Sequence, residues 1–392
     1  MLDCKEIRIY SESKLSDNFS EKSTVVYRQL GNDMNGGKYE IIVDYIHKKI
    51  EDGNLKPGDK MPSENALKAR FNLSRETVRH AMATLENEGI ILRVRGSGTY
   101  VKKRRVDDSN RIAVVTTYVD NYIFPPIIKG IEEVLTQNGY VMQLSFTNNR
   151  FERERQVLEE IIAKDDIAGI IIEPSMSALP NPNRDLYDKI INRGINVIFI
   201  NANYKEANIP FISLDDENAG YESCKYLISK GHTKIGALLK MDDSQGHLRL
   251  SGYRRAMTEA GILVKDEHIL WYDTVDGADF YKLKDRMLDR FKDCTAVFCY
   301  NDLAAMSLTN ILIDEGIKVP EQISVIGVDD SVTAMLSPVK LTSYRHPADE
   351  LGRLAAKNLL ILMNNPGAQV NYRFRTGVVE RDSVTENKRE KR

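Results

Sequence analysis

The stretch SRETVRHAM sets Arg75, Glu76, Thr77, Arg79 and His80 within six residues of one another. An arginine can donate two parallel hydrogen bonds to the O6/N7 edge of guanine, and a threonine or serine hydroxyl suits bases and phosphates alike. That chemistry requires the side chains to share one face of an element that fits a groove. Val78, Ala81, Met82 and Leu85 fall at i, i+3, i+4 and i+7, so one apolar stripe turns inward and the polar group crowds the free side and the N-terminal end. Ser74 is placed to cap this helix and Gly89 to stop it. Upstream, Ser63 caps a helix through Phe71, NLS turns the chain, and Ile42, Tyr45, Ile46 and Ile50 mark an earlier helix ending at Gly53. Downstream, ILRVRGSGTYVKK alternates and folds over Gly96, Ser97 and Gly98 as a hairpin, with Arg93 and Arg95 on its ribbon. A solvated helix face accounts for any one of these residues. It does not account for helix, turn, helix and basic wing in that order, the build that lays a second helix against base edges.

A second group of candidates follows Arg111. Short apolar runs alternate with helical patterns: IAVVTTYV, VMQLSF, IAGIIIEP, INVIFINA, KIGALLK, AVFCYND and ISVIGVDDS are the runs. Such alternation predicts a parallel sheet covered on both faces. Its length predicts two such units, with INVIFINANYKEANIPFISLDD as the first crossover. Ligands bind beyond the carboxyl ends of strands in open α/β sheets. Tyr118, Glu173, Ser175, Asn201, Lys240, Asn301, Asp302, Asp329 and Asp330 stand at those ends. Carboxylates and amides suit vicinal hydroxyls, and an aromatic face suits the C–H surface of a sugar. The competing reading makes Ser175, Asp216 and Asp302 helix N-caps.

Charge and composition bound the partners. The 392-residue chain carries a net charge of −2, yet residues 38–105 hold 15 Lys/Arg against 9 Asp/Glu, a net of +6 that leaves −8 elsewhere. A basic module on an acidic body suits a protein that touches nucleic acid with one end. No apolar run approaches the roughly 18–20 residues of a membrane helix. MLDCKEIRIYSESKLSD has no apolar core of a signal peptide. Cys4, Cys224, Cys294 and Cys299 form no CxxC pair and have no His at ligand spacing, which predicts reduced thiols, a cytoplasmic chain and no metal. GxGxxG and GxxxxGK[ST] are absent, so no nucleotide cofactor is expected. Residues 1–37 lack any sustained period and predict a loosely held arm, with Met34 a second candidate start of translation.

LKPGDKMPSENALKARFNLSRETVRHAMATLENEGIILRVRGSGTYV resembles the winged helix-turn-helix of the GntR family. The resemblance implies that Ser63, Glu64, Arg75, Thr77, Arg79, Arg95 and Gly96 lie at or near DNA. Glu76 either reads a cytosine amino group or faces solvent. GIEEVL, AGIIIEPS, SLDDENAGYESCKYLISKGHTKIGALL, RLSGYRRAM, YNDLAA and ISVIGVDDS resemble the effector domain of the LacI/GalR repressors. That resemblance implies a two-lobed, periplasmic-binding-protein-like α/β fold. It also carries Arg249, Asn301 and Asp329 over as ligand residues, puts His346 at a further polar position and Tyr272 near an aromatic platform, and sets Glu173 where an Asp or Ser often sits. The joined pair is similar to the arabinose-responsive repressors of Gram-positive bacteria, most of all in IIIEPSMSALPNPNRDLY and KMDDSQGHLR. L-arabinose is the implied effector.

The expected architecture is an N-terminal winged helix-turn-helix (α+β) over 38–102, a linker over 103–110 and the two-lobed α/β effector domain over 111–385. A charged tail over 386–392 follows. The linker KKRRVDDSNR has no leucine-bearing hinge helix, and Lys102, Lys103, Arg104 and Arg105 are offered to phosphates instead. The implied function is a homodimeric repressor that holds double-stranded operator DNA, makes no membrane contact and responds to sugar. Another pentose, a hexose or a nucleoside stays open as effector. An enzyme with a fused DNA reader finds no support in a Gly-x-Ser-x-Gly elbow, a metal cluster or a phosphate cradle.

Overall fold

The structure, a computed structural model, describes residues 37–56, 58–88, 90–94, 97–101, 110–119 and 123–387. Nearly all of the N-terminal arm, the linker and the tail therefore lie outside the described residues, as do Gly89, Arg95 and Gly96. The chain divides into two compact units that part near residue 104.

The first unit is a small helical head with a hairpin. Helices α1 (Glu40–Glu51), α2 (Glu64–Phe71) and α3 (Arg75–Asn87) precede strands β1 (Ile91–Val94) and β2 (Gly98–Val101), which pair antiparallel. The expected stripe is the core: Val78, Ala81, Met82 and Leu85 are buried together with Ile42, Ile46, Leu67, Phe71 and Ile91. Ser63 and Ser74 cap as their positions predict, accepting from Ala66 N and Thr77 N at 3.1 Å each. Asn72 supplies the left-handed turn between α2 and α3 with φ of 52°, a conformation Asn tolerates better than most residues. The lead-in to α2 lies along the hairpin, with Val101 N donating to Asp59 O and Met61 N to Thr99 O.

The second unit contains two six-stranded sheets. In the first lobe the elements run β3 (Arg111–Thr116), α4 (Phe124–Gln137), β4 (Val141–Phe146), α5 (Phe151–Ile162), β5 (Ile167–Ile172), α6 (Arg184–Asn192), β6 (Asn196–Ile200) and β7 (Phe211–Leu214). The second lobe holds α7 (Asp216–Ser229), β8 (Ile235–Lys240), α8 (Ser244–Glu259), β9 (Ile269–Tyr272), α9 (Lys284–Phe291) and β10 (Ala296–Cys299). It continues through α10 (Asp302–Asp314), β11 (Ser324–Asp329), α11 (Val332–Leu336) and β12 (Thr342–Arg345). The chain then returns: α12 (Ala348–Asn364) packs on α4 of the first lobe, β13 (Tyr372–Phe374) pairs parallel with β7, and β14 (Val378–Val379) pairs antiparallel with β12. Strand orders are β13-β7-β6-β5-β3-β4 and β14-β12-β11-β10-β8-β9. Strands β5, β8, β10 and β11 are buried along their whole length, as a sheet covered on both faces demands.

The crossover is shorter than expected. β6 and β7 both belong to the first sheet, and the chain changes lobe only after Leu214. It crosses again between β12 and α12 and a third time between β13 and β14.

Helices α7 and α8 pack with their backbones nearly touching. A Cβ on Gly252 would stand 2.0 Å from Glu217 O, and one on Gly220 would stand 2.1 Å from Arg249 O. Neither backbone can move without dragging its helix. Gly252→Ala is expected to lower stability by roughly 1–3 kcal/mol through overpacking. Urea unfolding checks this, and an unchanged midpoint would mean that the two helices separate freely.

Candidate functional site

In the head, α3 presents Arg75, Glu76, Arg79 and His80 to solvent. Both arginines turn toward one carboxylate, with Glu64 Oε2 3.8 Å from Arg75 Nε and 3.4 Å from Arg79 Nε. Their exposed positions make these weak ion pairs, yet they aim two guanidinium groups from the same side. The Thr77 hydroxyl is 2.8 Å from Ser74 Oγ and so takes part in the cap. The His80 ring lies against Tyr39, with centroids 4.2 Å apart. Arg93 sits on β1 and pairs with Glu86 of α3 at 3.2 Å. Glu64 of α2 thus meets Arg75 and Arg79 of α3, while Ser63 and Thr77 serve the helix caps and His80 lies against Tyr39.

In the second unit the strand ends of both lobes face a cavity of about 230 Å³. All seven residues expected at an effector site line it: Tyr118, Glu173, Arg249, Tyr272, Asn301, Asp329 and His346. Asn201 and Lys240 line it as well. Three of the strand-end candidates turn elsewhere. Ser175 bonds Thr147 at 2.8 Å inside the first lobe. Asp302 accepts from the Ser331 N–H and hydroxyl and from the Ser343 hydroxyl. Asp330 pairs with Arg381. The N-cap reading also shifts by one residue, because Asp215 caps α7 and Asn301 caps α10. Asp216 instead lines the cavity.

Burial and pairing set the charge states. Glu173 accepts from Thr117 N at 3.0 Å and from Asn201 Nδ2 at 2.8 Å, and burial pushes its carboxyl up. Arg249 is 4 % exposed; its Nε and Nη2 donate to Asp216 Oδ1 at 3.0 and 2.8 Å, and Nη1 donates to Tyr300 O. Burial works against the Lys240 ammonium, but Asp243, 2.5 Å away, and Asp242 outweigh it and hold the group above the usual lysine range. Burial, with Arg249 nearby, pushes the His346 imidazole down to about 3, so it is neutral at ordinary pH. Its Nδ1 and the Oδ1 of Asn201 are buried without a hydrogen-bond partner, a costly state unless something else fills it. Asn201 and Asp329 carry φ of 62° and 117°, so two lining residues hold left-handed backbone that side chains rarely adopt.

Several lining residues lie outside the strand-end reading. Asp243 and Gln245 come from KMDDSQGHLR, Tyr300 precedes the Asn of YND, and Thr274 follows the short strand β9. The first three sit inside stretches already singled out. Thr274 has no sequence signal. No group of three or more metal-ligating side chains occurs among the described residues, and none of the described helices is long and apolar enough to cross a membrane.

A winged helix-turn-helix followed by a two-lobed cleft is the build of a ligand-responsive transcription regulator. Residues 38–101 match the gntR family of bacterial regulatory proteins, and residues 224–384 match the periplasmic binding protein-like domain. The arabinose metabolism transcriptional repressor of Halalkalibacterium halodurans is 39% identical over 82% of this chain and 88% of its own. That of Geobacillus stearothermophilus is 40% identical over 82% of this chain and 90% of its own. The crystal structure of transcription regulator CcpA of Lactococcus lactis shares the fold, with a TM-score of 0.63 at 24% identity over 71% of this chain and 100% of that one. The chain belongs to the family of the arabinose metabolism transcriptional repressors.

The His346 environment gives a pH dependence. An unfolded His titrates near 6.5 and this one near 3 when folded, so between those values the unfolded chain holds the extra proton. The stability contributed by the neutral, buried ring is complete above about pH 6.5 and is lost as pH falls toward 3. At pH 5 the stability of the natural chain is expected to fall with pH more steeply than that of His346→Asn, by about one proton's worth of slope. Equal slopes in urea melts across this window would place the imidazole in water.

Proposed function

We propose that the chain is a cytoplasmic repressor that holds a pseudo-palindromic operator as a homodimer and lets go when L-arabinose fills the cleft. The composition of the cleft carries this reading. Glu173, Asp216, Asp243 and Asp329 are four carboxylates set against two cations, Lys240 and Arg249, both already paired within the protein. An anionic ligand meets an acidic wall there. A neutral polyol finds acceptors, amides and the rings of Tyr118, Phe124, Tyr272 and Phe280. The cavity volume of about 230 Å³ falls below the roughly 300–1,000 Å³ of clefts that take drug-sized ligands, which favours a single monosaccharide. Two repressors 39% and 40% identical to this chain are named for arabinose metabolism, and they supply the choice among sugars.

Phosphate contacts supply most of the affinity for DNA, and base contacts supply the choice of site. Arg75, Thr77 and Arg95 are the residues we assign to the choice of site. The sugar acts as a switch only if it binds the DNA-incompetent form more tightly, in which case DNA weakens sugar binding by the same factor.

Calorimetric titration with L-arabinose, D-xylose, D-galactose and ribose, followed by mobility shifts with and without sugar, tests the reading. Selective arabinose binding that releases operator DNA is expected. Selective binding of another sugar would keep the architecture and replace the effector. Arg75→Ala is expected to weaken operator binding by roughly 1–3 kcal/mol and to blunt sequence preference; unchanged affinity would take it off the DNA face. Asp329→Ala is expected to leave operator binding intact and abolish release by sugar, because the ligand loses a buried acceptor. Normal release would move the site.

A further inference from the structure

The two lobes also meet at the rim of the cavity, and a single amide carries much of that contact. Asn149 lies in the turn after β4, with φ of 54°, and is 1 % exposed. Its Oδ1 accepts from Met176 N at 2.6 Å, which fixes the amide within the first lobe. Its Nδ2 donates to Asp243 Oδ1 at 3.0 Å and to Thr274 Oγ1 at 2.7 Å, both in the second lobe. Beside it, Ser244 N donates to Ser177 Oγ at 3.0 Å and Ala178 N to Asp242 O at 3.2 Å.

The chemistry of these groups leaves one orientation for the amide. Met176 N–H can only donate, so it must face the amide oxygen. Thr274 gives its hydroxyl proton to Asp242 Oδ2 at 2.6 Å, so its oxygen is left to accept. An ionised Asp243 can only accept. Asn149 thus satisfies an N–H on one lobe and two oxygens on the other with one side chain. Asp243 and Thr274 themselves line the cavity, so the contact that joins the lobes also sets two side chains of the ligand site.

We propose that Asn149 is a positioning residue that couples the join between the lobes to the shape of the effector cavity. The coupling to the ligand rests on the effector reading given above. Occupying the cavity and keeping the Asn149 bridge are then mutually supportive, so loss of either weakens the other.

Two substitutions separate this role from a purely local one in the turn. Asn149→Gly deletes the amide and takes the left-handed backbone without strain. Asn149→Asp keeps an oxygen toward Met176 N and tolerates the same backbone, but it sets a carboxylate against Asp243. Calorimetry with L-arabinose is expected to show about tenfold weaker binding for Asn149→Gly and a larger loss for Asn149→Asp. Operator binding without sugar is expected to be no weaker than that of the natural chain, since loss of the bridge disfavours the sugar-bound, DNA-incompetent form. Spin labels at Glu160→Cys and Asp289→Cys, exposed sites on α5 and α9, are expected to report longer interlobe distances without ligand, in the same order. Unchanged distances in Asn149→Asp would overturn the proposal, as would a greater loss in Asn149→Gly, the order a local turn role predicts. Should the natural chain take up no sugar, the distances still decide the Asn149 bridge, and the effector reading alone falls.

Discussion

The cleft is organised around a buried charge. Arg249 is held between Asp216 and the carbonyl of Tyr300, with its guanidinium over the Tyr300 ring at 4.6 Å. Breaking such a pair strands a buried charge, at a cost of several kcal/mol, so its geometry is enforced even where its net stabilising effect is small. Asp216 opens α7 and Arg249 lies on α8, and the glycines on those helices let the backbones come close enough for the two side chains to meet. From there the order propagates. Tyr300 leads directly into Asn301, which caps α10, and the Asp302 that follows ties down Ser331, just past β11, and Ser343, within β12.

Much of this was legible in the residues, and the unread parts have physical reasons. The head is built from local signals: caps at Ser63 and Ser74, an apolar stripe of period 3.6, and a glycine-bearing hairpin. Each acts over a few residues, so each can be read from a few residues. The alternation of apolar runs and helices likewise revealed the two sheets. Segments 262–295 and 332–385 yielded no elements in advance. Strands β9, β13 and β14 span four residues or fewer and carry little period, whereas α12 does carry a helical stripe in Leu351, Ala355, Leu359 and Leu362 that the sequence reading passed over. No local feature of α12 says that it belongs with α4 in the earlier lobe.

Site residues divide along similar lines. Topology alone brings Tyr118, Glu173, Asn201, Lys240, Asn301 and Asp329 to one cavity, since all leave the carboxyl ends of strands. Direction is a finer matter. Asp329 and Asp330 are neighbours, yet one faces the cavity and the other pairs with Arg381, and the backbone at both has left the extended strand, with φ of 117° and 51°. Glu64 adds a further lesson. Its place at the start of α2 is readable, but its grip on Arg75 and Arg79 depends on how α2 packs against α3, which no spacing in the sequence encodes.

The three passages of the chain between the lobes bear on the order in which the protein can be made. The first sheet begins at Arg111, but its edge strand β13 and the helix α12 that covers α4 come after the whole of β8 to β12. A ribosome has therefore made β8 to β12 of the second lobe while the first still lacks a cover for Ile127, Ile131 and Leu135, which form one cluster with Leu351, Ala355 and Leu359 of α12. Apolar surface exposed during synthesis invites aggregation and chaperone capture. The second sheet in turn waits for β14, so neither lobe is complete until the chain has passed β13, and a nascent chain released before α12 emerges carries an open core in its first lobe.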